Sequence, residues 1–116
     1  MNDALAERVL RMVGLGVRSR GAVVGVERVR EAARKNKLAL AVVASDASHH
    51  SISKVVPLLV ARRVRVAHVP SASDLGHAVG KETTAVVGIT NRQLAQGIRE
   101  LMDSAPVREQ DGGRIE

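Results

Sequence analysis

Arg18 and Arg20 flank a serine in the glycine-bounded run Gly14-Leu-Gly-Val-Arg-Ser-Arg-Gly21, and Arg28 follows shortly after Gly25. A guanidinium presents a planar fork of donors that engages phosphate in pairs. A glycine lets main chain approach a ligand, and a helix start just after it offers free amides and the positive end of its dipole. The chemistry indicated is phosphate binding, with Arg18 and Arg20 as a clamp beside the Arg28 turn. Arg28, Arg30, Arg34, Lys35 and Lys37 form a second basic cluster. Arg30 falls near the apolar side of its helix and reads as structural, so Arg28 leads as a contact and Arg34 comes last.

Other chemistries fit poorly. Gly80-Lys81-Glu82-Thr83 has the flavour of a nucleotide loop, but Gly76 stands one residue too close, Glu82 interrupts, and a strand follows. Gly14, Gly16 and Gly21 follow a helix where a dinucleotide fingerprint must follow a strand. His49 and His50 are adjacent, so their side chains diverge by about 100 degrees on a helix of 3.6 residues per turn and form no shared ligand pair. His68 and His77 stand apart from them. Ser48 and Ser51 lack an orienting third group and an oxyanion turn. Asp46, at the end of the longest apolar run, is explained by helix capping. No catalytic residue, metal site or cofactor is expected.

The chain's 116 residues suit one domain, large enough to bury roughly two-thirds of its unfolded surface. Without cysteine it has no thiolate catalysis, thiolate zinc site or disulfide scaffold. Without Phe, Tyr or Trp its core is Val, Leu, Ile, Ala and Met, and it offers no platform on which a base could stack. That argues against single-strand readers such as RNA-recognition-motif and cold-shock domains. The net charge of +6, carried mostly by arginine, makes polyanion binding the leading class; the bland reading is an Arg-rich protein that is basic without binding anything. The N-terminus resembles no signal segment, and no apolar run approaches the roughly 20 residues of a membrane span. A cytoplasmic location is expected.

These residues need elements to position them. Lys37-Leu-Ala-Leu-Ala-Val-Val-Ala-Ser-Asp46 is an apolar run of strand length, and Arg63 to Ser71 and Thr84 to Thr90 repeat its plan. A strand covered on both faces is hydrophobic throughout, so the sheet lies between helices. Helical spacing predicts a first helix from Ala4 to Val13 that ends at Gly14, with a loop from Gly14 to Gly21. Ala22-Val23-Val24 forms a short strand before Gly25. A second helix, about Val26 to Lys35, is capped by Asn36. Ser48 caps a third, which Pro57 is expected to kink or break. The strand Val64 to Val69 leads to a short helix capped by Ser71 or Ser73 that stops by Gly80. The strand Ala85 to Ile89 leads to a last helix, capped by Asn91 or Thr90 and reaching about Met102. The fold class is α/β, a three-layer α/β/α sandwich with a mixed sheet of about four strands. Residues 1–103 form the domain and 104–116 a flexible tail.

The run Gly14 to Gly25 before a helix, the strand ending Ala44-Ser45-Asp46-Ala47-Ser48, the segment Val69-Pro70-Ser71 to Leu75-Gly76, and Gly80-Lys81-Glu82 before a strand together resemble the L7Ae/L30e ribosomal protein family, most closely its small bacterial members. The resemblance covers about Leu5 to Leu101. It implies a non-catalytic domain that binds structured RNA, typically a kink-turn, with ribosomal RNA and the ribosome among its partners, and neither a membrane nor a small-molecule substrate. It places RNA contacts on the turn Gly25-Val26-Glu27-Arg28 and on the loop Gly80 to Thr84. The candidate contacts are Arg18, Arg20, Gly25, Glu27, Arg28, Glu31, Gly80, Lys81 and Thr83. The chain departs from the family at one point. Archaeal-type kink-turn binders carry Asn-Glu after the glycine and a Lys one turn later, where this chain has Glu27-Arg28 and Glu31. Glu31 puts negative charge where a phosphate-facing cation is expected. A protein-interaction module on the same fold, with kink-turn specificity lost, is the alternative these departures permit.

Overall fold

The alternation of apolar runs and amphipathic segments resolves, in the computed structural model, into nine elements; the structure describes residues 2–104. They are α1 (Asp3–Arg18), β1 (Ala22–Val24), α2 (Val26–Arg34), β2 (Leu40–Ala44), α3 (His49–Ala61), β3 (Val66–Val69), α4 (Ala72–Ala78), β4 (Val86–Ile89) and α5 (Arg92–Asp103). Among the described residues no helix is long and apolar enough to cross a membrane. Apart from Ser104, the expected tail lies outside the described residues.

The four strands form one mixed sheet in the order β1-β4-β2-β3. β2 and β3 are parallel, and β4 runs antiparallel to both β1 and β2. Every residue of β2 is buried, and its side chains alternate between two cores. Leu40, Val42 and Ala44 join Val9 and Val13 of α1, Leu75 of α4 and Ile98 of α5. Ala41 and Val43 join Val29 of α2 with Val55 and Leu59 of α3. The result is the three-layer α/β/α sandwich expected from the uninterrupted apolar run.

The helix ends follow simple donor bookkeeping. Side-chain oxygens of Asn2, Ser48, Ser71 and Asn91 accept the amides of Leu5, Ser51, Asp74 and Leu94, satisfying first-turn donors of α1, α3, α4 and α5. At their other ends α1 to α4 each close with a left-handed residue: Arg20, Asn36, Arg63 and Gly80, with φ of 64, 56, 59 and 81°. In each, the next amide returns to a carbonyl five residues back, as with Lys81 N–H to Gly76 O at 2.8 Å.

Two expectations are corrected. α1 does not end at Gly14 but continues to Arg18, because Gly14 and Gly16 serve packing rather than turning. A Cβ on Gly14 would lie 2.8 Å from the Ala78 carbonyl oxygen, and one on Gly16 would lie 2.5 Å from Leu94 Cδ2. α3 passes through Pro57 without a break. The capping role read for Asp46 is present: its Oδ1 accepts the Ala72 amide at the start of α4, at 2.7 Å.

Candidate nucleic-acid interface

Strand direction decides which loops meet. The register pairs Val24 with Val87, Val43 with Val86 and Ala44 with Val69, so the ends of β1, β2 and β3 share one sheet edge with the start of β4. Gly25 leaves β1 at that edge with φ 100° and ψ 159°, a conformation essentially reserved for glycine. Its amide donates to Val86 O at 3.0 Å. Gly25 is also the cap position of α2, and having no side chain it makes no side-chain cap there. The first-turn amides of α2 therefore keep donor capacity and dipole field for an anion or base edge.

The second segment reaches the same edge from α4. Gly80 closes α4 in the left-handed conformation, and the chain then folds back along the helix. Gly76 lies so close beneath it that an added Cβ would stand 2.5 Å from Thr83 Cα. Thr84 N–H donates to Ala72 O at 3.1 Å, and its hydroxyl donates to Val86 O at 3.3 Å. The loop is thereby pinned along its length, while Lys81, Glu82 and Thr83 remain exposed. Gly25 and the end of this loop converge on a single carbonyl.

Arg28 sits on the first turn of α2, exposed, and lines a groove of about 220 Å³ with Val23, Glu31, Lys35 and Lys37. Glu31 belongs to this groove, but its charge is already engaged. Lys35 Nζ lies 3.0 Å from its carboxylate, and that hydrogen bond and charge hold the Glu31 carboxyl below its usual range. The groove carries three cations against one carboxylate. Glu27, also exposed, lies 4.0 Å from Lys54. Arg30 donates to the Lys54 carbonyl oxygen, tying α2 to α3, so its structural assignment holds.

The arginine clamp does not assemble as expected. Because α1 extends to Arg18, that residue lies on the α1 layer, while Arg28 belongs to α2 on the opposite face of the sheet. Arg18 instead lines a cavity of about 610 Å³ between α1 and α4, together with Glu7, Arg11, Asp74 and His77. Arg20 terminates α1 at the start of β1, one strand length, on the order of 10 Å, from Gly25. Sequence reasoning placed Lys37 with the α2 cluster and missed its grouping at the far edge, where Lys37, Arg62, Arg63, Arg92 and Arg99 line one cavity. They come from the α2–β2 turn, the α3–β3 turn and two positions along α5, and the strand order brings these three segments together.

Fold and edge together define an α/β/α sandwich that presents glycine-freed main chain and basic side chains along one sheet margin. The sequence model of the ribosomal protein L7Ae/L30e/S12e/Gadd45 family matches residues 7–101, and the chain belongs to that family. It is 30% identical over 92 residues to the RNA-binding protein YlxQ of Bacillus subtilis (strain 168), an alignment covering 79% of this chain and 92% of that protein. Its fold matches a protein of unknown function from Bacillus halodurans with a TM-score of 0.75 at 27% identity, over 83% of this chain and 97% of that one. The Giardia lamblia 15.5kD RNA binding protein has the same fold, with a TM-score of 0.75 at 21% identity over 89% and 88% of the two chains.

Proposed function

We propose that this chain is a non-catalytic, cytoplasmic RNA-binding protein of ribosomal-protein type, with residues 1–103 acting as one domain. It grips structured RNA, of kink-turn or ribosomal kind, across the Gly25 turn and the Gly80 to Thr84 loop. The observation that carries this reading is the shared acceptor: Gly25 N–H and the Thr84 hydroxyl both bond Val86 O, which makes two distant segments one surface. Around it, α2 offers uncapped amides and Arg28 supplies charge, so shape and backbone recognition need no aromatic stacking. Membership in a ribosomal protein family and similarity to a protein named as RNA-binding support the reading. The pairing of Glu31 with Lys35 offsets one of the two departures behind the protein-interaction alternative, the other being Glu27, which lies 4.0 Å from Lys54.

Fluorescence anisotropy with a kink-turn RNA and with an uninterrupted duplex of equal length tests this function. The expected result is tighter, salt-sensitive binding to the kink-turn, with Arg28→Glu weakening it. Equal, weak binding to both RNAs, unchanged by Arg28→Glu, would remove the proposal.

A further inference from the structure

The sheet edge opposite Gly25 holds a cavity of about 300 Å³. Its walls are the α2–β2 turn, the α3–β3 turn, Thr90 and the first turns of α5. Lys37, Arg62, Arg63, Arg92 and Arg99 line it, and no carboxylate does. Five cations converging with no carboxylate among the lining residues repel one another, an arrangement that an anion relieves.

Two of the guanidiniums are fixed in advance. Arg62 Nη1 donates to Arg34 O and to Asn36 Oδ1, both at 3.0 Å. Arg99 Nη2 donates to Ala39 O at 2.7 Å. Each guanidinium carries five N–H donors, so both keep several for a ligand while their positions are set by backbone. Two carboxylates act on the group from outside the cavity lining, Asp103 on Arg99 and Glu31 on Lys37, but each has its hydrogen-bonded partner elsewhere, Arg65 at 2.7 Å and Lys35 at 3.0 Å. Arg63 stands at φ 59° at the end of α3, where glycine fits without strain, so an arginine there is held against backbone preference. The side chains of Arg63 and Arg92 make no hydrogen bond or ion pair among the described residues.

We propose that this cavity is a phosphate-binding site, at the opposite end of the strands from Gly25 and adjoining the Arg28 groove through Lys37, which lines both. Fork-shaped donors suit the tetrahedral oxyanion of a phosphate ester or diphosphate. The group bound belongs either to a second RNA segment that the domain clamps or to a small phosphorylated molecule.

Calorimetric titration of the full chain with inorganic pyrophosphate, and footprinting of bound kink-turn RNA, test the site in Arg63→Gly/Arg92→Gln. Arg63→Gly relieves the left-handed strain, so loss of folding does not confound the result, and thermal unfolding verifies this. Arg8→Gln/Arg11→Gln removes equal charge from α1 as a control. The double variant should weaken pyrophosphate binding about tenfold or more, with the control near wild type. Loss of one protected RNA segment alongside it identifies RNA as the source; unchanged protection identifies a small phosphorylated molecule. The proposal is overturned if pyrophosphate affinity and footprint are both unchanged, or if the control variant loses as much.

Discussion

Gly25 and Thr84, fifty-nine positions apart in the chain, donate to the same oxygen, the carbonyl of Val86, at 3.0 and 3.3 Å. That carbonyl sits at the start of β4, between β1 and β2, so the α2 turn and the α4 loop are held in fixed relation by the centre of the sheet. Two segments tied to one carbonyl have little freedom to part, and on the proposed function this lowers the ordering cost of binding.

Gly25 tests that rigidity. No atom crowds an added Cβ there, yet its φ of 100° is one that side-chain-bearing residues rarely adopt. Gly25→Ala should cost roughly 1 to 3 kcal/mol in urea denaturation through backbone strain alone. Gly80 is also open but left-handed, so Gly80→Asn should be nearly neutral.

Gly76→Ala strikes the loop from beneath. Its Cβ would meet the Thr83 backbone at 2.5 to 2.8 Å, where no rotamer change gives relief. A loss of about 1 to 3 kcal/mol is expected from overpacking, with weakened RNA binding because the loop from Lys81 to Thr83 is displaced. Chemical-shift changes confined to β2 or α3 would show the loop unaffected and refute the coupling.

Arg20→Gly separates charge from conformation. Arg20 has φ 64° at the end of α1, so glycine should raise stability by about 1 kcal/mol, read as a higher thermal midpoint. Kink-turn affinity should be unchanged, since the residue lies across β1 from Gly25. A marked affinity loss would restore the arginine clamp that the geometry disfavours.

Acid stability has one testable contributor. Arg65, hydrogen-bonded to Asp103 at 2.7 Å, holds that carboxyl below its usual range, and the pairing raises Arg65 so that it stays charged. A depressed carboxyl contributes stability that is fully present above its ordinary range and lost as the pH falls through its folded value. Asp103→Asn should therefore lower the thermal midpoint slightly at neutral pH, with the difference from wild type vanishing as the pH falls through and below the carboxyl's lowered folded value. Both groups are exposed, so the effect is small.

The layers were legible because Val42 and Val43 both had to be covered, and unbroken hydrophobicity has one economical solution. Ser48, Ser71 and Asn91 were readable as caps for local reasons. Gly14 and Gly16 misled because a glycine that turns and a glycine that admits a neighbour look alike in sequence; Ala78 and Leu94, distant in the chain, decide between them. The same limit applies to the site. Gly25 could be found from its strand-glycine-helix setting, whereas Lys37, Arg63, Arg92 and Arg99 acquire a common purpose only once β2, β3 and β4 are in register.

The Gly25 turn and the Gly80 to Thr84 loop are expected to act as one continuous recognition edge, and amide chemical shifts read it residue by residue. On titration of the ¹⁵N-labelled protein with kink-turn RNA, the amides of Val26, Glu27, Arg28, Lys81, Thr83 and Thr84 should shift together at one saturating ratio. Perturbation of either segment without the other, or of neither while α1 or α3 responds, would contradict it.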